Sequence, residues 1–310
     1  MRRALLASLI PALALTSCVR FTTKGLSTKR TYHVANKVTD PVRPDARIAV
    51  LWVGHATVLL QIDDKQILTD PVFNDTVGEI SDRFVEPGID PACLPVLDAV
   101  LLSHLHMDHL SHGSLDRIAR KTRQLVAPAG ARVYIPDSAV PLAELATWSR
   151  WAHDGLVVTA VPVKHVGWRY GVDAAWMTHT FTGYVIEYHG LCVYFGGDTA
   201  YVEANFRETA ARFPRIDLAL LPIAPIRPRS FMRRTHVDPF EATRAFLDLG
   251  AQRMVPIHFD TFLNGLDEEG DAPRELLRAS HALRLTDEQV IVLGIGEQRV
   301  IVPRDAGPGR

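Results

Sequence analysis

The chain has 310 residues, of which 47% are hydrophobic and 22% are charged, as in an ordinary globular protein. This length suits one large α/β domain or two smaller ones. A formal net charge of -1 gives no electrostatic reason to expect nucleic acid as a partner, and three cysteines do not make a disulfide framework.

The first eighteen residues have the organisation of a signal peptide. A short basic region precedes an apolar run over residues 4–15, which is too short to span a bilayer comfortably. Residues 15–18, Leu-Thr-Ser-Cys, resemble the lipobox of bacterial lipoproteins, in which the cysteine is lipidated and becomes the new N-terminus. We therefore expect lipidation at Cys18; the alternative is a plain secretory signal with an incidental cysteine. Because Val19 rather than aspartate follows, we expect a lipid-anchored protein of the bacterial cell envelope, at the outer membrane facing the periplasm.

Beyond the signal segment, residues 19–46 are predicted to be a tether, residues 47–303 a single mixed α/β domain, and residues 304–310 a C-terminal tail. No linker interrupts the middle region. Hydrophobic patterning predicts the following elements in chain order. The first half has a β-rich run over 48–62 interrupted at 54–57, strands over 66–70 and 97–102, a helix over 114–121 capped by Ser111 or Ser114, and strands over 124–127 and 156–163. The second half has a hairpin of 181–188 with 191–196, then helices over 203–213, 239–249 and 274–283 that alternate with strands over 218–223, 254–258 and 290–293.

The most informative stretch is residues 104–109, His-Leu-His-Met-Asp-His, directly after the predicted buried strand 97–102. If the chain is still extended there, His104 and His106 project to the same side, while Asp108 and His109 come from the loop that follows. Three imidazoles and a carboxylate within six positions are ligands of the type that zinc prefers. We therefore predict a metal site rather than a cluster of surface histidines.

Three further candidate ligands follow predicted strands. His165 and His258 come at strand ends, and Asp198 follows two glycines that allow close approach of the backbone to a site. Taken singly, a histidine at a strand end is more often structural or solvated than a ligand. Together with the first cluster these residues supply seven ligands from four strand ends, a number that suits two metal ions sharing a carboxylate.

The motif H-x-H-x-D-H, with the three later residues, resembles the metallo-β-lactamase superfamily. The resemblance covers the chain from about residue 47 to beyond residue 258. It implies an αββα sandwich with a dinuclear, usually zinc, site at one edge. The ligand sets that it implies are His104, His106 and His165 for one ion, Asp108, His109 and His258 for the other, and Asp198 as a bridge together with a water or hydroxide.

Segments around the ligands resemble one branch of this superfamily, which contains N-acylphosphatidylethanolamine-hydrolysing phospholipase D. They are residues 52–57, 68–71, 197–199, 229–232 and 236–239. The ascorbate-6-phosphate lactonases share the Gly-His-Ala-Thr element but match less well around residues 231–239. Two other branches fit poorly: flavo-diiron proteins replace the second histidine with glutamate, whereas this chain has His106, and common B1 β-lactamases use a cysteine where it has Asp198. The nearby Cys192 is predicted to lie in the core.

Other residues near the ligands are assigned supporting roles. Asp108 is counted as catalytic as well as a ligand, and His236 is predicted to bind the substrate oxyanion or to protonate the leaving group. The alternative for His236 is a structural histidine that caps the helix at residue 239. His55 and Asp70 are predicted to form turns or to orient the metal-bound histidines from behind. Ser103 is interpreted as a packing residue.

The resemblance implies a zinc-dependent hydrolase that uses a metal-bridging hydroxide, with two Zn²⁺ as cofactors, although another divalent metal would also fit. We expect a phosphodiesterase acting on phospholipid-like substrates. The alternatives are a lactonase or other carboxylic-ester hydrolase of the same fold and, in a different class, a non-catalytic metal-binding envelope protein. Expected partners are a small-molecule or phospholipid substrate, the membrane through the lipid anchor, and a second copy of the chain; substrate contacts are expected in residues 136–151 and 168–177.

Overall fold

The computed structural model describes residues 31–78, 81–135 and 139–304. The signal segment and Cys18 lie outside the described residues. Numbered in chain order, the strands are β1 (Ala46–Gly54), β2 (Thr57–Ile62), β3 (Lys65–Thr69), β4 (Thr76–Val77), β5 (Ser81–Asp82), β6 (Ala99–Leu101), β7 (Leu125–Pro128), β8 (Leu142–Leu145), β9 (Arg150–His153), β10 (Leu156–Val161), β11 (Gly183–Tyr188), β12 (Leu191–Phe195), β13 (Leu218–Pro222), β14 (Met254–Ile257) and β15 (Gln298–Pro303).

Thirteen of these strands form two large sheets. The first sheet has the order β15-β1-β2-β3-β6-β7-β8, antiparallel from β15 to β3 and parallel from β3 to β8. The second has the order β14-β13-β12-β11-β10-β9, parallel among β12, β13 and β14 and antiparallel elsewhere. The two short strands β4 and β5 pair only with each other.

Helices cover the outer faces of both sheets. They are α1 (His112–Ile118), α2 (Glu203–Arg212), α3 (Arg229–Met232), α4 (Pro239–Asp248) and α5 (Asp271–Ala282). Ser111 caps α1 by accepting a hydrogen bond from the Ser114 N–H, and Asp238 caps α4 by accepting from the Glu241 N–H. Helix α4 packs on β13 and on its neighbours α2 and α5. The αββα sandwich and single α/β domain expected from the sequence are confirmed.

Strand β1 shows how the layers are held together. Its side chains alternate between the two faces of the sheet. Val50 and Trp52 belong to the cluster between the sheets, whereas Leu51 and Val53 belong to a second cluster that includes side chains of α1. All four are at most 2% exposed, so this strand is apolar on both faces. Because each fully buried aliphatic or aromatic side chain contributes roughly 1.5–3 kcal/mol, such strands anchor the loops at their ends.

The prediction of a final strand over residues 290–293 was wrong. Residues 290–293 lie beside β14, but Val290 forms only an isolated bridge with Met254. A turn follows, in which the Glu297 N–H bonds to the Gly294 carbonyl, and the chain then pairs with β1 as β15. Five strands of the described residues went unpredicted: the short pair β4 and β5, the edge strands β8 and β9, and β15. The helix predicted over 274–283 begins at Asp271 instead, and the buried position of Cys192 in β12 is confirmed.

Candidate metal centre

The candidate ligands meet where the two sheets come together at one edge. The Ser103 carbonyl accepts a hydrogen bond from the Thr182 N–H at 2.9 Å, and the Leu102 carbonyl accepts one from the Tyr184 hydroxyl at 2.8 Å. The loop after β6 of the first sheet therefore abuts β11 of the second. The segments after β10, β12 and β14 reach the same edge and bring in His165, Asp198 and His258.

The first group of ligands is made of three imidazoles. The Nε2 atoms of His104 and His165 lie 2.9 and 3.3 Å from Nδ1 of His106. Burial, followed by the neighbouring imidazole of His165, lowers the pKa of His106 to about 3. Burial likewise holds the pKa of His104 well below its usual value. These rings are therefore neutral, the form in which imidazole binds a metal.

The second group contains Asp108, His109 and His258. The Nε2 atoms of the two histidines are 3.2 Å apart, and the Asp108 Oδ2 atom lies 3.8 and 3.9 Å from them. His55 completes this set of four potential ligands, with its Nε2 atom 3.0 Å from the same Asp108 oxygen.

Asp198 lies between the two groups. Its Oδ2 atom is 3.4 Å from His109 Nε2 and 3.8 Å from His165 Nε2, and its Oδ1 atom is 3.0 Å from His258 Nε2. The preceding residue, Gly197, has a φ of +54°, and a Cβ atom there would lie 2.3 Å from the Ser103 Cβ. Only glycine allows this close approach, which puts Asp198 within reach of both groups.

The donor chemistry of the second group fits a metal ion. His258 Nδ1 donates to the Ala224 carbonyl at 2.9 Å, and His109 Nδ1 bonds to Asp70 Oδ2 at 2.6 Å. With these hydrogen bonds the neutral rings present two Nε2 lone pairs to each other at 3.2 Å, and neither can donate to the other. A cation resolves this repulsion. Without one, a proton must take its place: burial opposes protonation, but the nearby carboxylates raise the pKa of His109 well above its usual value.

Asp70 supports ligands of both groups from behind. It is fully buried and accepts three hydrogen bonds, from the Ser103 N–H at 2.7 Å, from the Ser103 hydroxyl at 2.6 Å and from His109 Nδ1. Since the serine hydroxyl donates its only proton to Asp70, its oxygen accepts from His104 Nδ1 at 2.9 Å. Ser103 thus connects Asp70 to His104, so that close packing, which the structure also shows against Gly197, is not its only role.

His55 lies behind the second group in a constrained backbone conformation. Its φ is +54°, and that of His258 is +67°. The His55 carbonyl accepts hydrogen bonds from the His258 N–H and from Trp52 Nε1, both at 2.9 Å. Burial, followed by the neighbouring His258, lowers the pKa of His55 to about 3. A neutral ring held in this way donates to Asp108 and fixes the orientation of that carboxylate.

His236 points into the site from the segment after α3. Its Nδ1 atom lies 3.6 Å from Asp198 Oδ2 and, although buried, has no hydrogen-bond partner among the described residues. The cap of helix α4 is Asp238, so the alternative of a helix-capping histidine does not hold. The His236 ring therefore faces the candidate ligands Asp198 and His165.

Some functional contacts had no signal in the sequence, because the chain provides them through backbone carbonyls. The Thr235 carbonyl accepts from His165 Nδ1 at 2.9 Å. Arg169, which is 8% exposed, donates through Nη1 to the carbonyls of Leu105 and Leu110, each at 2.8 Å. The ligand-bearing loop is thereby braced from the segment 168–177, whose Trp168 ring lies 4.6 Å from the His106 ring. That segment was predicted to contact substrate, and it forms one wall of the site.

This chain resembles a family model, several proteins of known sequence and several solved structures. A family model described as the beta-lactamase superfamily domain matches residues 65–259. An uncharacterised protein of Mycobacterium tuberculosis is 34% identical over 259 residues, covering 79% of this chain and 67% of its own length. The N-acyl-phosphatidylethanolamine-hydrolyzing phospholipase D 1 of Caenorhabditis elegans is 28% identical over 286 residues, covering 86% and 80%. A metallo hydrolase from Ignicoccus hospitalis has a similar fold, with a TM-score of 0.60 at 20% identity over 81% of this chain and 97% of that one.

Proposed function

Because this chain belongs to the beta-lactamase superfamily and is a metal-dependent hydrolase, we propose that it is a zinc phosphodiesterase acting on phospholipid-like substrates. The observation that carries the proposal is the placement of Asp198 between two groups of imidazoles, in the second of which the Nε2 atoms of His109 and His258 face each other at 3.2 Å. A site built in this way suits two cations and an anionic ester. The similarity to the nematode phospholipase supports the choice of phosphodiesters over other esters.

The proposed ligands follow the two groups of side chains. His104, His106 and His165 would hold one zinc ion, Asp108, His109 and His258 the other, and Asp198 would contact both. When bound, two zinc ions supply hydroxide near neutral pH and neutralise charge on the oxygens of an anionic ester. Asp70 and His55 keep the ligands oriented, because each makes a hydrogen bond to a ligand side chain.

His236 is proposed to act on the substrate. Its unpartnered Nδ1 atom is buried beside Asp198, so a substrate oxygen entering the site can provide the missing hydrogen-bond partner. We assign it contact with the leaving-group oxygen, to which it would donate a hydrogen bond or a proton as the ester bond breaks.

Attachment to the outer membrane through a lipid on Cys18 is part of the proposal. The lipobox-like residues 15–18 support it. A tether would place the site near bilayer lipids and raise the effective concentration of a phospholipid substrate.

The test is a hydrolysis screen of the zinc-loaded protein over phosphodiesters, lactones and β-lactams. We expect phosphodiesters to be cleaved fastest, and Asp198→Ala to lose bound metal and activity together because one side chain serves both groups. Lactone opening far faster than phosphodiester cleavage would replace the proposal with the lactonase alternative. Full activity in the Asp198→Ala protein would refute the ligand assignment.

A further inference from the structure

A cationic cleft lies beside the metal centre and is not needed to explain it. The cleft has a volume of about 540 Å³ and is lined by Lys164, Tyr201, Ser230, Arg233, Arg234 and Glu241. Lys164 directly precedes the ligand His165, so their Cα atoms are about 3.8 Å apart. Arg233 and Arg234 come directly before Thr235, whose carbonyl accepts a hydrogen bond from His165. The next residue, His236, faces Asp198. The backbone that carries the cleft is therefore continuous with the backbone that carries His165 and His236.

The charge of the cleft is positive and unbalanced. Among the described residues that line it, the one carboxylate is that of Glu241, which pairs with Arg229 on the neighbouring turn. Lys164, Arg233 and Arg234 are all exposed, and none forms an ion pair within the part of the chain that the structure describes. Other arginines near α3 are neutralised: Arg229 also pairs with Asp238, and Arg227 pairs with three carboxylates.

The scissile group alone gives no reason for three more positive charges. If the proposed function holds, two divalent ions carry four positive charges, and Asp108 and Asp198 return two negative ones. With the hydroxide counted as a third negative charge, the remainder already balances the single negative charge of a phosphodiester. Additional cations held a few residues from the ligands therefore match negative charge elsewhere on the bound molecule.

We propose that the cleft formed by Lys164, Arg233 and Arg234 is a subsite for a second anionic group of the substrate, a phosphate or a carboxylate. The substrate would then be a phosphodiester with another negative charge on its head group or leaving group. Arginine suits this task because its planar guanidinium can donate two parallel hydrogen bonds to either anion. This inference rests on the proposed function for the identity of the scissile group only.

Direct binding tests the subsite without requiring turnover. Calorimetry on the zinc-loaded full chain would compare alkylphosphonates with ω-carboxyalkylphosphonates of equal length, in a series of two to six methylene groups. In the native protein we expect the carboxylate to tighten Kd about tenfold at one chain length, the size of one charge-assisted hydrogen bond. R233Q/R234Q should lose that gain and still bind the plain alkylphosphonates, and R233K/R234K should keep most of it.

R278Q/R284Q is the matched control, because it removes two exposed arginines at and just after helix α5. It should retain the full gain. An equal gain in R233Q/R234Q and the native protein, or no gain at any chain length, overturns the inference. Failure of the proposed function is seen separately, as absence of phosphodiester cleavage in the hydrolysis screen.

The same anion chemistry could come from an anionic lipid of the membrane surface. Binding of the protein to phosphatidylcholine vesicles with and without phosphatidylglycerol distinguishes this source. We expect R233Q/R234Q to bind both kinds of vesicle as the native protein does. Loss of the phosphatidylglycerol-dependent binding, with the carboxylate gain intact, would assign the cleft to the membrane and overturn the substrate subsite.

Discussion

At the scale of single residues, Asp70 orients one histidine directly and a second one through another side chain. It bonds directly to His109 and reaches His104 through Ser103, so one carboxylate orients a histidine in each ligand group. A fully buried carboxylate is costly unless its oxygens are satisfied, and here three donors satisfy them. The network therefore has a single arrangement, which holds both Nε2 atoms toward the centre.

Asp70→Asn should weaken zinc binding by about 10–100-fold, the usual effect of losing a carboxylate behind a metal-bound histidine. The amide cannot accept from His109 and from the Ser103 hydroxyl as strongly as the carboxylate does. Competition with a chromogenic chelator measures the affinity. Asp63→Asn is the matched control, since that buried carboxylate pairs with Arg47 and Arg304 in a different region. Equal zinc affinity in the Asp70→Asn and native proteins would show that the network does not orient the ligands.

His236→Ala should lower kcat by about 100-fold on substrates with poor leaving groups, while zinc content stays unchanged. The reason is that His236 is proposed to contact the leaving-group oxygen, while seven other side chains are the proposed ligands. Activated aryl esters, whose leaving groups need less assistance, should lose less. Elemental analysis and a leaving-group series measure the two effects. Equal losses across the series would instead place His236 against a non-leaving oxygen of the substrate.

At the scale of elements, loops at the strand ends carry the site, and neighbouring segments hold those loops in place. The loop after β6 contains four of the candidate ligands and has little regular structure of its own. Arg169 braces it by donating to two of its carbonyls, and the Arg169 N–H in turn donates to Asp173 at 2.8 Å. The position of the ligand loop therefore depends on the segment that follows His165.

Arg169→Met should destabilise the protein by about 2–4 kcal/mol, because two buried carbonyls lose a charged donor while the aliphatic packing is largely kept. Zinc affinity should fall as well, since the ligand loop loses its brace. Urea unfolding measures the first effect and chelator competition the second. Arg278→Met, an exposed position on α5, should change stability by less than about 0.5 kcal/mol. A destabilised Arg169→Met protein with native zinc affinity would limit Arg169 to a role in stability.

At the scale of the whole molecule, the metal centre joins the two sheets. The first sheet contributes the loop after β6, and the second contributes the segments after β10, β12 and β14. Metal held by these side chains would cross-link the layers at the edge where Thr182 and Ser103 already connect them. Anything that binds the native state alone stabilises it in proportion to the logarithm of its concentration.

Removal of zinc should therefore lower Tm. Free zinc at a thousand times its Kd adds about 4 kcal/mol, and for a domain of this size that corresponds to roughly 10 °C. Calorimetry with and without a chelator measures the shift. Asp198→Ala is the control, because a protein that binds no metal should be insensitive to the chelator. The same Tm for native protein in both conditions would show that the centre does not link the sheets.

The proposed anchor also concerns the whole molecule. Cys18→Ser should abolish lipid modification and move the protein from the membrane fraction to the soluble fraction, because a single acylated residue is the proposed attachment. Mass spectrometry and fractionation with an alkaline wash measure these changes. Cys93→Ser serves as the control for loss of an unrelated thiol. Protein that remains with the membrane after the wash in the Cys18→Ser variant would contradict the anchor.

Most of the fold and of the candidate ligand set could be predicted from the sequence, for a local reason. An apolar run followed by a polar residue marks the end of a buried strand, and parallel strands of one sheet bring such ends to one edge. The identities of the residues at 104–109, 165, 198 and 258 could therefore be read without knowing their distances. Helix α4 was also predictable, because its cap Asp238 and the following Pro239 are adjacent in sequence.

Only the tertiary structure decided which groups face each other. The carbonyl that orients His165 is 70 residues away in sequence, and β15 pairs with β1 near the opposite end of the domain. Such contacts depend on how two sheets pack, and no short sequence window contains both partners. The same holds for the cationic cleft, whose lysine and arginines come from separate segments. Sequence patterning determined the residue types and the strand ends, whereas packing of the sheets determined the relay through Ser103, the brace by Arg169 and the unbalanced charge beside the metal centre.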